Sequence, residues 1–366
     1  MLLNKNVLSL LAAAALLLLP HRGASQPASA IRTDATHLTL VGKFHENTPN
    51  PYHRADTCIY NNFTKSEKRL LLSSAGIAVA FKTTSTYIGV VAEFGYKNYG
   101  TNTMGVALRG FDLYIKKNGV WTYANSRVRE PEKEDGYMAL VWAMEPEMKE
   151  CLLYLPMYSE LRHLEIITQA GMPAMPLPNP FRHRVGLWGS SVSQGIGSSR
   201  SGMGYAEQFT RNTGIQILNF GTNGSCKLQD NFTRVVLDAD MDALIMDCFT
   251  NPEANEIEPK LFPFIEQMQA AHPGMPIIFQ SPLYRGRRTF DTDLEQRETT
   301  KRALVEKLMK EACKKYKDVY YVTVETTSPD FSTTVDGTHI DDYGYYLWAT
   351  SLEKQVLKIL KKYGIK

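Results

Sequence analysis

The chain has 366 residues, of which 43% are hydrophobic and 22% are charged, and its formal net charge is +3. That length is enough for two domains of ordinary size, and the composition is typical of a globular protein and excludes a largely disordered one. The small net charge gives no reason to expect a nucleic-acid partner or binding to an anionic membrane surface.

Residues 1–30 have the pattern of a signal peptide. Lys5 supplies a positive charge, residues 7–19 are almost entirely apolar, and Ala-Ser-Ala at 28–30 fits a cleavage site. The apolar run is short for a membrane span, so an uncleaved anchor is the alternative. We expect export to the periplasm or the extracellular space, with no membrane span in the mature chain.

Residues 31–170 have the pattern of an all-β domain. Apolar, β-branched and aromatic runs predict strands at 38–41, 76–81, 87–94, 111–115, 138–142 and 150–155. Asn118-Gly119 predicts a tight hairpin within residues 116–123, because both residues tolerate positive φ. Many short strands without long amphipathic helices favour a β-sandwich.

Residues 171–182 are rich in proline and predict a linker, after which the pattern changes. Short apolar strands alternate with helices over 183–366: we predict strands at 185–188, 215–220, 243–247, 276–280 and 319–324, and helices at 204–213, 259–271, 294–316 and 343–363. This alternation predicts an α/β domain with a parallel sheet and helices on both faces, in which reactive groups collect beyond the carboxyl ends of the strands.

The first of these strands leads into Gly-Ser-Ser-Val-Ser-Gln-Gly at 189–195, which places Ser191 in a glycine-bracketed turn. Near the far end of the chain, Asp336 and His339 are separated by two residues on a segment that enters a helix. A serine hydroxyl becomes a nucleophile when an imidazole takes its proton and a carboxylate orients that imidazole. Each residue alone is also compatible with an ordinary turn or a helix cap.

Two further strand ends carry possible donors to an oxyanion. Asn-Phe-Gly-Thr-Asn-Gly follows the second strand, where Gly224 or Gly221 can present a backbone N–H, or where the segment is a plain turn. Asn251 follows the third strand and either donates from its amide or caps the next helix, with Pro252 as the first helical residue.

Five cysteines, an odd number, leave at least one thiol unpaired. Cys226 and Cys248 each follow a predicted strand and are either close in space or buried as free thiols. Their spacing shows no metal-binding pattern.

Across these four motifs, residues 183–366 resemble the SGNH hydrolase superfamily, also known as the GDSL esterases or lipases. The resemblance implies a three-layer, flavodoxin-like α/β domain with Ser191 as nucleophile, His339 as general base and Asp336 as the orienting carboxylate. It further implies an oxyanion hole formed by the backbone N–H groups of Ser191 and Gly224 and the side-chain amide of Asn251.

Gly-Phe-Asp-Leu-Tyr at 110–114 resembles the Gly-x-Asp-Leu-Tyr signature of a β-rich domain that precedes some SGNH hydrolases. That resemblance implies a β-sandwich accessory domain over 31–170. Asp112 and Tyr114 are expected to have structural roles.

The leading hypothesis is an exported serine esterase that forms an acyl-enzyme and hydrolyses short acyl esters, above all acetyl esters, on carbohydrate. Its partner is then a small-molecule or polysaccharide ester, and the chemistry needs no metal or organic cofactor. The alternatives are an aryl or phospholipid-type esterase, an acyltransferase using the same triad, and a carbohydrate-binding surface protein with a degenerate hydrolase domain. The sequence leaves the oligomeric state and the disulfide pairing open.

Overall fold

The computed structural model describes residues 29–129 and 136–366, so all but the last two residues of the predicted signal peptide lie outside the described part. The first part of the chain is rich in β-structure. Its strands are β1 Ile31–Asp34, β2 Thr39–Val41, β3 Ala78–Thr83, β4 Ile88–Phe94, β5 Phe111–Lys117, β6 Val120–Arg127, β7 Gly136–Val141, β8 Lys149–Tyr154, β9 Leu161–Thr168 and β10 Met175–Pro176.

These strands form two antiparallel sheets, one in the order β1-β9-β4-β7 and the other in the order β10-β3-β8-β5-β6, with β2 also paired to β3. Val79 and Phe81 of β3 share an apolar core with Val90 and Ile166 from the other sheet. The predicted β-sandwich is therefore confirmed, and its two sheets bury their facing surfaces against each other.

The predicted hairpin is also confirmed: β5 and β6 pair directly, and Asn118 and Gly119 have φ values of 52° and 79°. The predicted linker is not only a spacer, because part of it belongs to a sheet. Its residues Met175–Pro176 form β10 at the edge of the second sheet, where they pair with β3.

Two short helices also lie in the first part, α1 Lys65–Leu72 and α2 Gly105–Arg109. The sequence-based prediction omitted both, although Thr64 and Glu67 form a capping box at the start of α1.

The second part of the chain is an α/β unit. Its strands are β11 Arg182–Gly189, β12 Ile215–Gly221, β13 Ala243–Met246, β14 Ile277–Gln280 and β15 Val319–Val322. Its helices are α3 Ser191–Gln194, α4 Tyr205–Thr213, α5 Asp230–Leu237, α6 Ala254–Ala271, α7 Thr292–Lys315 and α8 Asp342–Leu360.

The five strands are all parallel, in the order β12-β11-β13-β14-β15. One apolar cluster lies on the α4 and α8 side of the sheet, and another lies on the α5, α6 and α7 side. The predicted three-layer α/β domain is confirmed. Helix α6 begins five residues before the predicted start at Pro259, which lies inside the helix.

The apolar cluster on the α5, α6 and α7 side includes residues from the first part of the chain. Phe44 stacks on Phe220 with ring centroids 4.4 Å apart, and Phe63 meets Phe232 at 4.8 Å. The segment 42–75 therefore packs against the α/β unit and extends its core.

Arg54 lies in this contact and is fully buried. Its guanidinium donates to the backbone carbonyls of Asn219 at 3.2 Å and Gly221 at 2.8 Å, and also to the carbonyl of Leu70. Burial lowers the pKa of Arg54 to about 10, so the group is still charged at neutral pH.

No helix in the described ranges is long and apolar enough to cross a membrane. All five cysteines are free thiols, and Cys226 and Cys248 are both buried.

Candidate active site

The turn that carries Ser191 is formed by close packing after β11. A Cβ atom on Gly189 would lie 2.0 Å from the Ser193 hydroxyl, so only glycine fits there, and Gly195 ends α3 with φ at +106°. Ser190 is the N-cap, and its hydroxyl accepts from the Val192 backbone at 3.3 Å. These contacts place Ser191 at the first position of the helix, at the carboxyl end of the central strands.

A buried carboxylate, Asp247, anchors this turn. It follows β13 and accepts from the Ser190 backbone at 3.1 Å, the Ser190 hydroxyl at 2.6 Å and the Ser193 hydroxyl at 2.7 Å, all through Oδ2. Its Oδ1 accepts from Thr250 at 2.8 Å. Burial raises the pKa of Asp247, and these hydrogen bonds only partly offset that increase.

The structure brings Ser191, His339 and Asp336 together in a hydrogen-bonded chain. Ser191 Oγ lies 2.9 Å from His339 Nε2, and His339 Nδ1 lies 2.7 Å from Asp336 Oδ2. Both Asp336 and His339 lie on the loop between β15 and α8, as expected. A tautomer that donates from Nδ1 to Asp336 leaves Nε2 free to accept the serine proton.

Asp336 is held in its charged form by several donors. Oδ1 accepts from the backbone N–H groups of Thr338 at 3.0 Å and His339 at 2.8 Å, and Oδ2 accepts from the Asn102 side chain at 3.0 Å. Partial burial raises the pKa of Asp336, but the hydrogen bonds from the His339 backbone and the Asn102 amide outweigh burial and hold the pKa well below its usual range.

The two candidate glycines after β12 differ in what their backbone N–H groups contact. The Gly221 N–H donates to Asn219 Oδ1 at 2.8 Å, and Gly221 packs against the backbone of Gln194. Gly224 lies in an exposed turn with φ at +72°, and no acceptor among the described residues contacts its N–H. Of the two, Gly224 is the one with a donor available to a ligand.

Asn251 lies beyond the end of β13 and does not cap a helix. The N-cap of α6 is Glu253, so the alternative in which Pro252 opens the helix is not realised. Within the described residues, no donor reaches the buried Oδ1 atom of Asn251.

The Gly-Phe-Asp-Leu-Tyr motif lies in the contact between the sandwich and the α/β unit. Asp112 is fully buried and accepts from Arg200 at 3.0 Å and from the Gly202 backbone at 2.9 Å. The Tyr114 hydroxyl accepts from the same guanidinium. These contacts hold the segment after α3 against β5.

Neither Asn102 nor Asp247 was predicted from the sequence as part of the site. One feature of the sequence could have identified Asp247: it is a charged residue directly after a buried apolar strand, where a carboxylate needs hydrogen-bond partners. Asn102 lies in a polar loop more than 230 residues from Asp336, and its position depends on tertiary packing alone.

Two family models match the chain. The model described as the GDSL-like lipase/acylhydrolase family matches residues 182–358. The model named GxDLY, described as the N-terminus of SGNH-hydro-type esterases, matches residues 32–172. A comparison with curated protein sequences found no match.

Several solved structures are similar over most of the chain. A Bacteroides ovatus protein assigned as a GDSL-like lipase is 32% identical, with a TM-score of 0.86 over 91% of this chain and 98% of its own. The salicylyl-acyltransferase SsfX3 from a tetracycline biosynthetic pathway is 18% identical, with a TM-score of 0.71 over 93% of this chain and all of its own. A family two carbohydrate esterase from Cellvibrio japonicus is 13% identical, with a TM-score of 0.57 over 91% of this chain and 98% of its own. At these identities, the last two show similarity of fold alone.

Proposed function

The chain belongs to the GDSL-like lipase/acylhydrolase family, and from that premise we propose that it is an exported serine esterase that removes short acyl groups, above all acetyl, from carbohydrate. The observation that carries the chemical part of the proposal is the chain of contacts from Ser191 through His339 to Asp336, at 2.9 Å and 2.7 Å.

In the proposed mechanism, Ser191 attacks the ester carbonyl while His339 takes the serine proton at Nε2. Asp336 orients the ring and stabilises the imidazolium that forms. His339 then returns the proton to the departing alcohol, which leaves an acyl-enzyme. A water molecule, deprotonated by His339, releases the acid and restores the serine.

The oxyanion of each tetrahedral intermediate would be held by three donors: the Ser191 and Gly224 backbone N–H groups and the Asn251 amide. The unengaged N–H of Gly224 supports that choice over Gly221, whose N–H already donates within the protein. Donors of this kind contribute because they are in place before the charge develops.

The carbohydrate part of the proposal is supported by the fold shared with the family two carbohydrate esterases, one of which was solved with cellohexaose. Export is supported by the signal-peptide pattern of residues 1–30. Fractionation of the producing cells, with sequencing of the mature amino terminus, tests export directly.

The test of the chemistry is hydrolysis of 4-nitrophenyl esters from acetate to octanoate by the mature protein. We expect acetate to be turned over fastest and Ser191→Ala to abolish turnover. Ser126→Ala, a serine substitution on β6 of the sandwich, is the matched control and should leave activity intact. Equal activity in Ser191→Ala would exclude Ser191 as the nucleophile.

The same assay separates the alternatives. Transfer of the acyl group to an added alcohol, with little free acid released, would indicate an acyltransferase. Failure of Ser191 to react with a fluorophosphonate probe, together with binding of polysaccharide, would indicate a degenerate hydrolase that acts by binding.

A further inference from the structure

An open cleft with a volume of about 210 Å³ lies between helix α1 and the turn that carries Gly224. The residues that line it come from both parts of the chain, among them Arg69, Tyr96, Asn98, Tyr158, Asn223 and Ser225.

The cleft adjoins the nucleophile. Tyr158 in its wall donates a hydrogen bond to the backbone carbonyl of Ser191 at 3.5 Å. Asn223 and Ser225 flank Gly224, and Asn98 lies four residues before Asn102, which contacts Asp336. An ester bound with its carbonyl at Ser191 would therefore extend one of its two substituents into this cleft.

Three side chains of the cleft have donor groups without a hydrogen-bond acceptor among the described residues, whereas the hydroxyls of Tyr158 and Ser225 already donate to backbone carbonyls. Arg69 lies over the Tyr96 ring at 3.9 Å, and no described carboxylate pairs with its guanidinium. No described residue accepts from the side-chain amides of Asn98 and Asn223. Leu70 is the single aliphatic residue among the described residues that line the cleft.

An apolar acyl chain in this cleft would remove these donors from water without replacing their hydrogen bonds, which is unfavourable for each group. A hydroxylated ring would replace them, because each hydroxyl both donates and accepts. The volume is below the roughly 300–1,000 Å³ of a pocket for a drug-sized ligand and fits one ring.

We propose that this cleft is the binding site for the sugar ring of the ester's alcohol portion, with Arg69 as its main determinant of specificity. The proposal rests on the esterase function proposed above.

The test compares kcat/KM for a monoacetylated methyl hexoside with kcat/KM for 4-nitrophenyl acetate, which carries no sugar. In Arg69→Gln the ratio of the first to the second should fall about tenfold or more, since hydrogen bonds from a charged donor are lost. Arg69→Lys should recover part of that loss. Lys65→Gln, on the same helix but outside the cleft, is the control and should leave both values unchanged.

An unchanged ratio in Arg69→Gln, or an equal fall for both substrates, overturns the cleft proposal while the esterase function stands. If the wild-type protein hydrolyses neither substrate, the esterase function fails and the cleft proposal fails with it.

A separate observation concerns Asn102. Its amide donates to the same Asp336 oxygen, Oδ2, that faces His339 Nδ1, at 3.0 Å, and the loop is fixed by a hydrogen bond from Gly197 to Thr103 at 3.1 Å. We infer that Asn102 is a positioning residue for the triad, supplied by the first part of the chain.

Asn102→Ala should lower kcat for 4-nitrophenyl acetate about 2- to 10-fold with little change in KM. The acid limb of the pH–rate profile should move to higher pH, because Asn102 no longer competes with the imidazolium form of His339 for the Asp336 charge. Thr101→Ala, an exposed neighbour on the same loop, should leave the profile unchanged. A uniform loss of kcat at all pH values in Asn102→Ala, with no shift, would refute a positioning role and indicate a structural one.

Discussion

Asp247 offers the sharpest test of how the turn that carries Ser191 is held in place. Replacing it with alanine removes the acceptor of four hydrogen bonds. The Ser193 hydroxyl keeps Tyr205 as a partner at 2.7 Å, but the Ser190 backbone N–H has no other acceptor among the described residues. With about 1–3 kcal/mol for each buried donor left unpaired, we expect Asp247→Ala to lower the free energy of unfolding by about 3–5 kcal/mol.

Asp247→Asn should cost less, about 1–2 kcal/mol. Its carbonyl oxygen can still accept from Ser190 and Ser193, while its amide faces the Thr250 hydroxyl, which can rotate to accept. The assay is urea denaturation followed by tryptophan fluorescence, with the slope of the unfolding free energy against urea checked for constancy.

Asp240→Ala is the control, because the Asp240 side chain is 91% exposed. It should change stability by no more than about 0.5 kcal/mol. The reasoning is refuted if Asp247→Ala is as stable as the wild type, or if the asparagine variant is as damaging as the alanine variant.

Three more outcomes follow from the site. Gly189→Ala should lower the unfolding free energy by about 1–3 kcal/mol and reduce kcat, since the new methyl group would lie 2.0 Å from the Ser193 hydroxyl. Gly274→Ala is the control in the same urea assay, because nothing lies within 4 Å of the new methyl group. It should lower the unfolding free energy by roughly 1–2 kcal/mol, the cost of placing alanine at a positive φ. Asn251→Ala should lower kcat about 10²- to 10³-fold without loss of stability, because its Oδ1 has no partner among the described residues; steady-state kinetics and a thermal melt together decide this. Because the pKa of Asp336 is lowered in the folded protein, its carboxylate stabilises the fold fully only above its unfolded pKa, near 3.8, and this stabilisation decreases as the pH falls from there towards the lower pKa of the folded state. The difference in unfolding free energy between wild type and Asp336→Asn should therefore shrink from pH 6 to pH 3. A constant difference would contradict the lowered pKa of Asp336.

Most of the sheets could be predicted from sequence, because their strands are continuous apolar runs or follow glycine-rich turns. The strand β9 was not predicted, because charged residues interrupt its apolar pattern and several of its positions are partly exposed, although it lies between β1 and β4 inside its sheet. Helix α5 was missed for a similar reason: eight residues give too few turns for a clear period.

Some residues of the candidate site could likewise be predicted from the sequence, and others could not. Ser191, Asp336 and His339 could be predicted because each lies beside a strand end or a helix entrance that has a local pattern. Asn102 and Arg54 lie in irregular segments, and what they contact is set by the docking of segments far apart in the chain. No local pattern reports such docking, so only the three-dimensional structure identifies these residues.

The burial of Arg54 bears on whether the two parts of this chain can fold independently. The two family models meet near residue 180, as though the chain were built from two separable modules. Yet the carbonyls that end β12 receive hydrogen bonds from Arg54, and the apolar core beneath them continues into segment 42–75. A chain cut at residue 180 would expose that core and leave those carbonyls without their donor. The boundary between the modules in sequence is therefore not a boundary in folding, and we expect the two parts to unfold in one cooperative transition.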